Sequence, residues 1–157
     1  MKTQLVTIET NDIPIDGAFH EPDGETCAAA LYFHGNTMNF YVGAPRFLPP
    51  VLTAMGYVCL AFNRRGHDIL SIRDSRAAEG AAFQLTREGI EDNAIAAAWM
   101  AGLGYRDPIV VGHSNCGGVR AAMYNRFSSP RDPFSLSKIC CRSIAGLRIR
   151  RRSVTQR

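Results

Sequence analysis

Three short segments constrain this chain more than anything else in it. Ala28-Ala29-Ala30-Leu31-Tyr32-Phe33, Tyr57-Val58-Cys59-Leu60-Ala61-Phe62 and Pro108-Ile109-Val110-Val111 are continuously apolar. A strand with one wet face alternates; a strand buried on both faces of a parallel sheet does not. Helical patterns lie between them. Ala44-Pro45 opens a helix through about Met55, with Pro45 at its tolerated first position and Gly56 as the stop. From about Leu85 to Leu103, Ile90, Ala94, Ala97 and Ala98, with Ile95 and Trp99 beside them, keep one apolar stripe that ends at Gly102 and Gly104. Upstream, Leu5 to Thr10 reads as a strand and Ile13 to Phe19 as a second one, whose Pro14 suits a sheet edge. Downstream, a turn from Gly112 to Gly118 leads into a small helix, Val119 to Asn125. The order β, β, β, α, β, α, β, α predicts an α/β fold, a mostly parallel sheet with flanking helices.

That pattern stops near Arg126, and the charge balance changes there too. Residues 1–125 carry nine basic and thirteen acidic residues, a balance of −4; residues 126–157 carry nine basic residues against Asp132 alone, a balance of +8. The division therefore reads as a folded part, 1–126, and a basic, poorly structured tail, 127–157, and the break is that of a truncated or frame-shifted longer chain. The net charge of +4 does not indicate a nucleic-acid binder, because the excess sits in the terminal run Arg148-Ile149-Arg150-Arg151-Arg152 rather than across a folded face. The longest apolar run, Cys27 to Phe33, is seven residues, far short of the ~20 that span a bilayer. Met1 to Thr7 has no secretory apolar core. Five cysteines without a C-x-x-C pair read as reduced thiols, mostly small buried hydrophobes, in a cytoplasmic protein.

The chemistry concentrates at the strand ends. Gly112-x-Ser114 lies between a strand and a helix, the setting of a nucleophile elbow. A serine on such a sharp turn needs small neighbours two residues before and after it, and the following helix N-terminus offers positive potential to an oxyanion. Gly112 satisfies the first position; Cys116 stands at the second, with Gly117-Gly118 one place later. His34-Gly35-Asn36 follows the third strand and should emerge at the same sheet edge. The backbone N–H groups of Asn36 and Asn115 are candidate oxyanion donors, and His34 reads as a residue that orients its loop, supported by Gly35.

Together these pieces resemble the α/β-hydrolase family from about Leu5 to Tyr124. The matching motifs are the His34-Gly35-Asn36 loop, the Gly112-His113-Ser114-Asn115 elbow and Asn63-Arg64-Arg65-Gly66-His67. The last is similar to the D/N-x-R-G-x-G turn of the esterase, lipase and serine-aminopeptidase-like branches, with Asp68 in place of its final Gly. The resemblance implies hydrolysis of a small-molecule ester, amide or similar acyl substrate through an acyl-serine on Ser114, with no metal or organic cofactor. In that family the triad order is Ser, then Asp or Glu, then His; here His20, His34, His67 and His113 all precede Ser114, and Asp132 is the one acid after it. The expectation is a serine hydrolase whose chain is truncated after the elbow. The alternative is a non-catalytic remnant that keeps a small-molecule pocket without turnover.

Overall fold

A computed structural model describes residues 1–72 and 78–114. Five strands and two helices occur along these residues: β1 (Lys2–Ile8), β2 (Ile15–Glu21), β3 (Ala28–Phe33), α1 (Ala44–Ala54), β4 (Tyr57–Phe62), α2 (Thr86–Gly102) and β5 (Ile109–Gly112). The strands form one mixed sheet in the order β1-β2-β4-β3-β5. β1–β2 and β2–β4 are antiparallel, and β3 is parallel to both β4 and β5. The three continuously apolar segments are the three parallel strands, as their two-sided burial requires.

Strand periodicity sorts the core into two layers. Leu31, Phe33, Val58, Leu60, Phe62 and Val110 face one side, where Ala96 and Met100 of α2 cover them. Ala30, Tyr32, Cys59 and Ala61 face the other, beneath Leu48 and Leu52 of α1. Each large side chain fully buried here contributes about 1.5–3 kcal/mol relative to exposure, so the central strands dominate the hydrophobic stabilisation. Phe33 and Phe62 also meet edge to face, ring centroids 5.9 Å apart.

Three expectations are corrected. β2 does not form an edge; β1 does, and Pro14 falls one residue before the β1–β2 ladder begins at Ile15, so its missing N–H is not needed there. The fully buried residues of α2 are Gly89, Asp92, Asn93, Ala96 and Met100; of the expected stripe, Ile90, Ile95, Ala97 and Trp99 pack part-buried against the core, and Ala98 is exposed. A pair of polar residues sits at the centre of the buried set because the loop after β4 brings Arg65 to Asp92. The sheet is mostly parallel in strand direction, as expected, with β2 alone running against the other four described strands. Cys59 is buried but Cys27 is exposed, its thiol donating to the Met55 carbonyl. The helix from Val119, residue Asn115 and the 127–157 tail lie outside the described residues.

Register positions the chemistry. Phe62, Phe33 and Gly112 stand in one row across β4, β3 and β5. The three loops that follow them therefore leave the sheet side by side at its C-terminal edge.

Candidate active site

His34 is the first residue past β3, and it is wholly buried. Its surroundings assign its tautomer. The Arg64 backbone N–H donates to His34 Nε2 at 3.0 Å, so Nε2 is an acceptor. The proton therefore sits on Nδ1, which donates to the Gly35 carbonyl at 2.8 Å. Burial, reinforced by the Arg64 charge, lowers the His34 pKa from 6.5 to about 3, and the ring stays neutral. Its ring is bonded to its own loop at the Gly35 carbonyl and has no nitrogen to spare as a general base.

Beyond His34 the chain turns through Gly35, Asn36 and Thr37, where the Met38 N–H donates to the Gly35 carbonyl at 3.3 Å. Asn36 is exposed. Gly35 lies against the elbow: a methyl group built on it would stand 2.7 Å from His113 Nδ1 and 3.2 Å from Ser114 Cβ. A side chain is excluded there, and the glycine lets the two loops touch.

Ser114 itself is exposed and has φ +58°, the left-handed region. For a non-glycine residue this costs about 1–2 kcal/mol, and such strain gathers at functional turns. The His113 N–H donates to the Phe33 carbonyl at 3.2 Å, carrying the β3–β5 ladder up to the residue before Ser114. Gly112 is the last residue of β5. Asn115, the second candidate oxyanion donor, lies outside the described residues.

The loop after β4 supports both. Arg65 makes a two-point contact with Asp92, through Nε at 2.9 Å and its backbone N–H at 2.8 Å, and also reaches Glu91. Burial raises the Asp92 pKa even so, with the Arg65 contacts opposing it; burial lowers that of Arg65, but the hydrogen bond to Asp92 and its charge outweigh this and raise it. Asp68, at the place where the resembling turn carries Gly, has φ +54°. Its carboxylate accepts from Asn39 Nδ2 at 2.8 Å, and its backbone N–H donates to the Met38 carbonyl at 3.0 Å. Aspartate tolerates this backbone better than most residues, and its carboxylate ties the β4 loop to the β3 loop. His67 contacts Asp68 through Nδ1 at 2.8 Å, with Nε2 3.9 Å from Glu79. Among the described residues no histidine is hydrogen-bonded to Ser114. A cavity of about 120 Å³ lies beside the β4 loop, lined by residues that include Ile15, Arg64, Arg65, His67 and Glu79 but not Gly35 or Ser114.

The fold recurs in solved structures. Est1E from Butyrivibrio proteoclasticus, solved with ferulic acid bound, superposes with a TM-score of 0.63 at 16% identity, over 77% of this chain and 47% of its own. A dienelactone hydrolase from Anabaena variabilis gives 0.62 at 18%, over 80% and 57%. An epoxide hydrolase from Vigna radiata gives 0.57 at 21%, over 77% and 33%. The fold is that of the α/β-hydrolases. The chain spans about one third to just over one half the length of these α/β-hydrolase structures. No protein-family model and no curated protein sequence matches it. Among the described residues no helix is long and apolar enough to cross a membrane.

Sequence reasoning singles out Ser114, Gly112, Gly35, His34, Asn36 and Asn115; of these the structure brings Gly35 against Ser114, with His34 bonded to the Gly35 carbonyl. It missed Arg64 and Asp92. Asp92 leaves one trace, an acid placed where a helix should be apolar. Arg64 leaves none, because its contact with His34 spans thirty residues of chain.

Proposed function

We propose that this chain is a serine hydrolase of the α/β fold, acting on a small ester, amide or similar acyl substrate through an acyl-serine on Ser114. One observation carries the reading: an exposed serine held at φ +58° at the end of β5, with Gly35 of the neighbouring loop packed against it. Ser114 Oγ adds to the substrate carbonyl, and its proton passes to solvent. The tetrahedral oxyanion takes hydrogen bonds from the N–H groups of Asn36 and Asn115, then collapses to expel the alcohol or amine, which takes up a proton. Water later adds to the acyl-serine and releases the acid. Turnover is slow, since a positioned histidine base contributes much of the activation of a catalytic serine.

The absence of any histidine hydrogen-bonded to Ser114 among the described residues favours a second reading, a small-molecule-binding remnant without turnover. A fluorophosphonate probe separates the two. Modification of folded protein at Ser114, lost in Ser114→Ala, supports the hydrolase. Folded protein that stays unmodified at millimolar probe refutes it and leaves the remnant.

A further inference from the structure

Arg64 has the largest of the fully buried side chains, at 1% exposure. Among the described residues its guanidinium has no carboxylate within ion-pair distance; Asp92, whose charge reaches it from farther away, is bonded to Arg65. Its Nε and Nη1 have no hydrogen-bond partner there either. Burying a cation with no carboxylate in contact is costly for a fold. A leucine or methionine would fill the space beneath Gly89 of α2, 3.4 Å from Nη1 to a methyl built on that glycine, without that cost.

What Arg64 does make is a double contact with one residue. Its Nη2 donates to the His34 carbonyl at 2.6 Å, and its backbone N–H donates to His34 Nε2 at 3.0 Å. With Nε2 occupied, His34 Nδ1–H is directed to the Gly35 carbonyl. That carbonyl belongs to the peptide group whose N–H is that of Asn36, the candidate oxyanion donor. A hydrogen bond accepted at the oxygen of an amide polarises its N–H, and bonds in series strengthen one another. We infer that Arg64 is a positioning residue for the oxyanion loop, the head of a relay from its backbone N–H through His34 to the Gly35–Asn36 peptide. Its guanidinium clamps the His34 carbonyl so that the relay keeps one geometry. Arg64 touches no substrate; it acts through His34. The inference rests on the proposed function for its consequence in rate, though the relay itself does not need Ser114.

The test uses the full ¹⁵N-labelled chain at pH 7, with wild type, Arg64→Met and Arg64→Lys compared. Long-range ¹H–¹⁵N spectra read the His34 tautomer, and the concentration dependence of fluorophosphonate modification separates the maximal rate from half-saturation. Wild type should show the Nδ1–H tautomer alone. Arg64→Met should show mixed tautomers and a maximal rate down by about 10-fold or more, short of the ~10²–10³ lost with a whole oxyanion donor, with half-saturation unchanged. Arg64→Lys keeps a cationic donor and should retain the single tautomer; it serves alone, with mixed tautomers counting against the relay, should Arg64→Met fail to fold. A lone Nδ1–H tautomer or an undiminished rate in Arg64→Met would overturn the inference. If wild type is not modified at Ser114, the proposed function fails, and the tautomer comparison by itself still decides the relay.

Discussion

Gly35→Ala is the sharpest perturbation available, because it loads one methyl group onto the contact that brings the two loops together. The added carbon would sit 2.7 Å from His113 Nδ1, 3.0 Å from Met38 Sδ and 3.2 Å from Ser114 Cβ. Met38 ends in a flexible thioether and swings aside at little cost. The other two atoms belong to the elbow, which is pinned by the His113 N–H···Phe33 carbonyl bond of 3.2 Å and by the left-handed backbone of Ser114. Restoring ordinary contact of 3.4 Å at His113 requires the loops to part by about 0.7 Å. Overpacking of this kind costs about 1–3 kcal/mol, which in a chain of this length lowers Tm by roughly 2–12 °C. Misplacement near 1 Å costs on the order of 10²-fold in rate, so the rate of fluorophosphonate modification should fall by tens of fold. Gly24→Ala is the control, since nothing lies within 4 Å of a methyl group there. The assay is thermal unfolding by circular dichroism together with the modification rate. If Gly35→Ala melted within about 1 °C of Gly24→Ala, the close approach of the two loops would be wrong. An unchanged modification rate would separately show that this contact does not set the geometry of Ser114.

Two more predictions concern the groups beneath the loop. The His34 pKa falls from 6.5 in the unfolded chain to about 3 in the fold, so the unfolded chain takes the proton first. The stability that His34 protects is complete above pH 6.5 and is lost as pH falls towards 3, about 1.4 kcal/mol per unit. Urea midpoints of wild type should therefore register a loss of about 2 kcal/mol between pH 7 and pH 5 that His34→Asn lacks; equal losses in both would contradict the buried neutral ring. Asp92→Ala removes the acceptor of both the Arg65 side chain and its backbone N–H, and breaking a buried pair from one side costs about 3–5 kcal/mol. Its urea midpoint should drop far below that of Asp92→Asn, which keeps one acceptor, and coincident midpoints would show that the contact contributes nothing.

The parts of the molecule that were legible are those decided by local pattern. β3 and β4 match their apolar runs residue for residue, because two-sided burial leaves no polar position inside them to blur the ends. β1 and β2 shifted by two or three residues, since alternating polar and apolar residues near a turn fit several registers and the ladder from Lys2–Glu21 to Ile8–Ile15 is settled by pairing alone. The face of α2 was illegible for a different reason. Its centre is Asp92 and Asn93, and a period-3.6 reading that rewards apolar residues turns such a helix the wrong way, exposing Met100 and burying Ala98. The helix faces inward at Asp92 because an ion pair awaits it, and the partner lies 27 residues earlier in the chain.

The same division runs through the site. Gly112-x-Ser114 announces itself because a strained turn restricts the residues near it, and the φ of +58° at Ser114 is the strain that the spacing anticipates. His34-Gly35-Asn36 is visible only as a loop after a strand; that it faces Ser114 follows from the row Phe62, Phe33, Gly112, which no local signal encodes. Register across three strands brings His34 beside Arg64 and Gly35 beside Ser114. A hydrophobic substitution that shifted β3 by one residue against its neighbours would move its side chains to the opposite faces and carry the loop away from the elbow. The geometry at Ser114 thus depends on the packing of Leu31, Phe33, Leu60 and Phe62 as directly as on the residues that would do the chemistry.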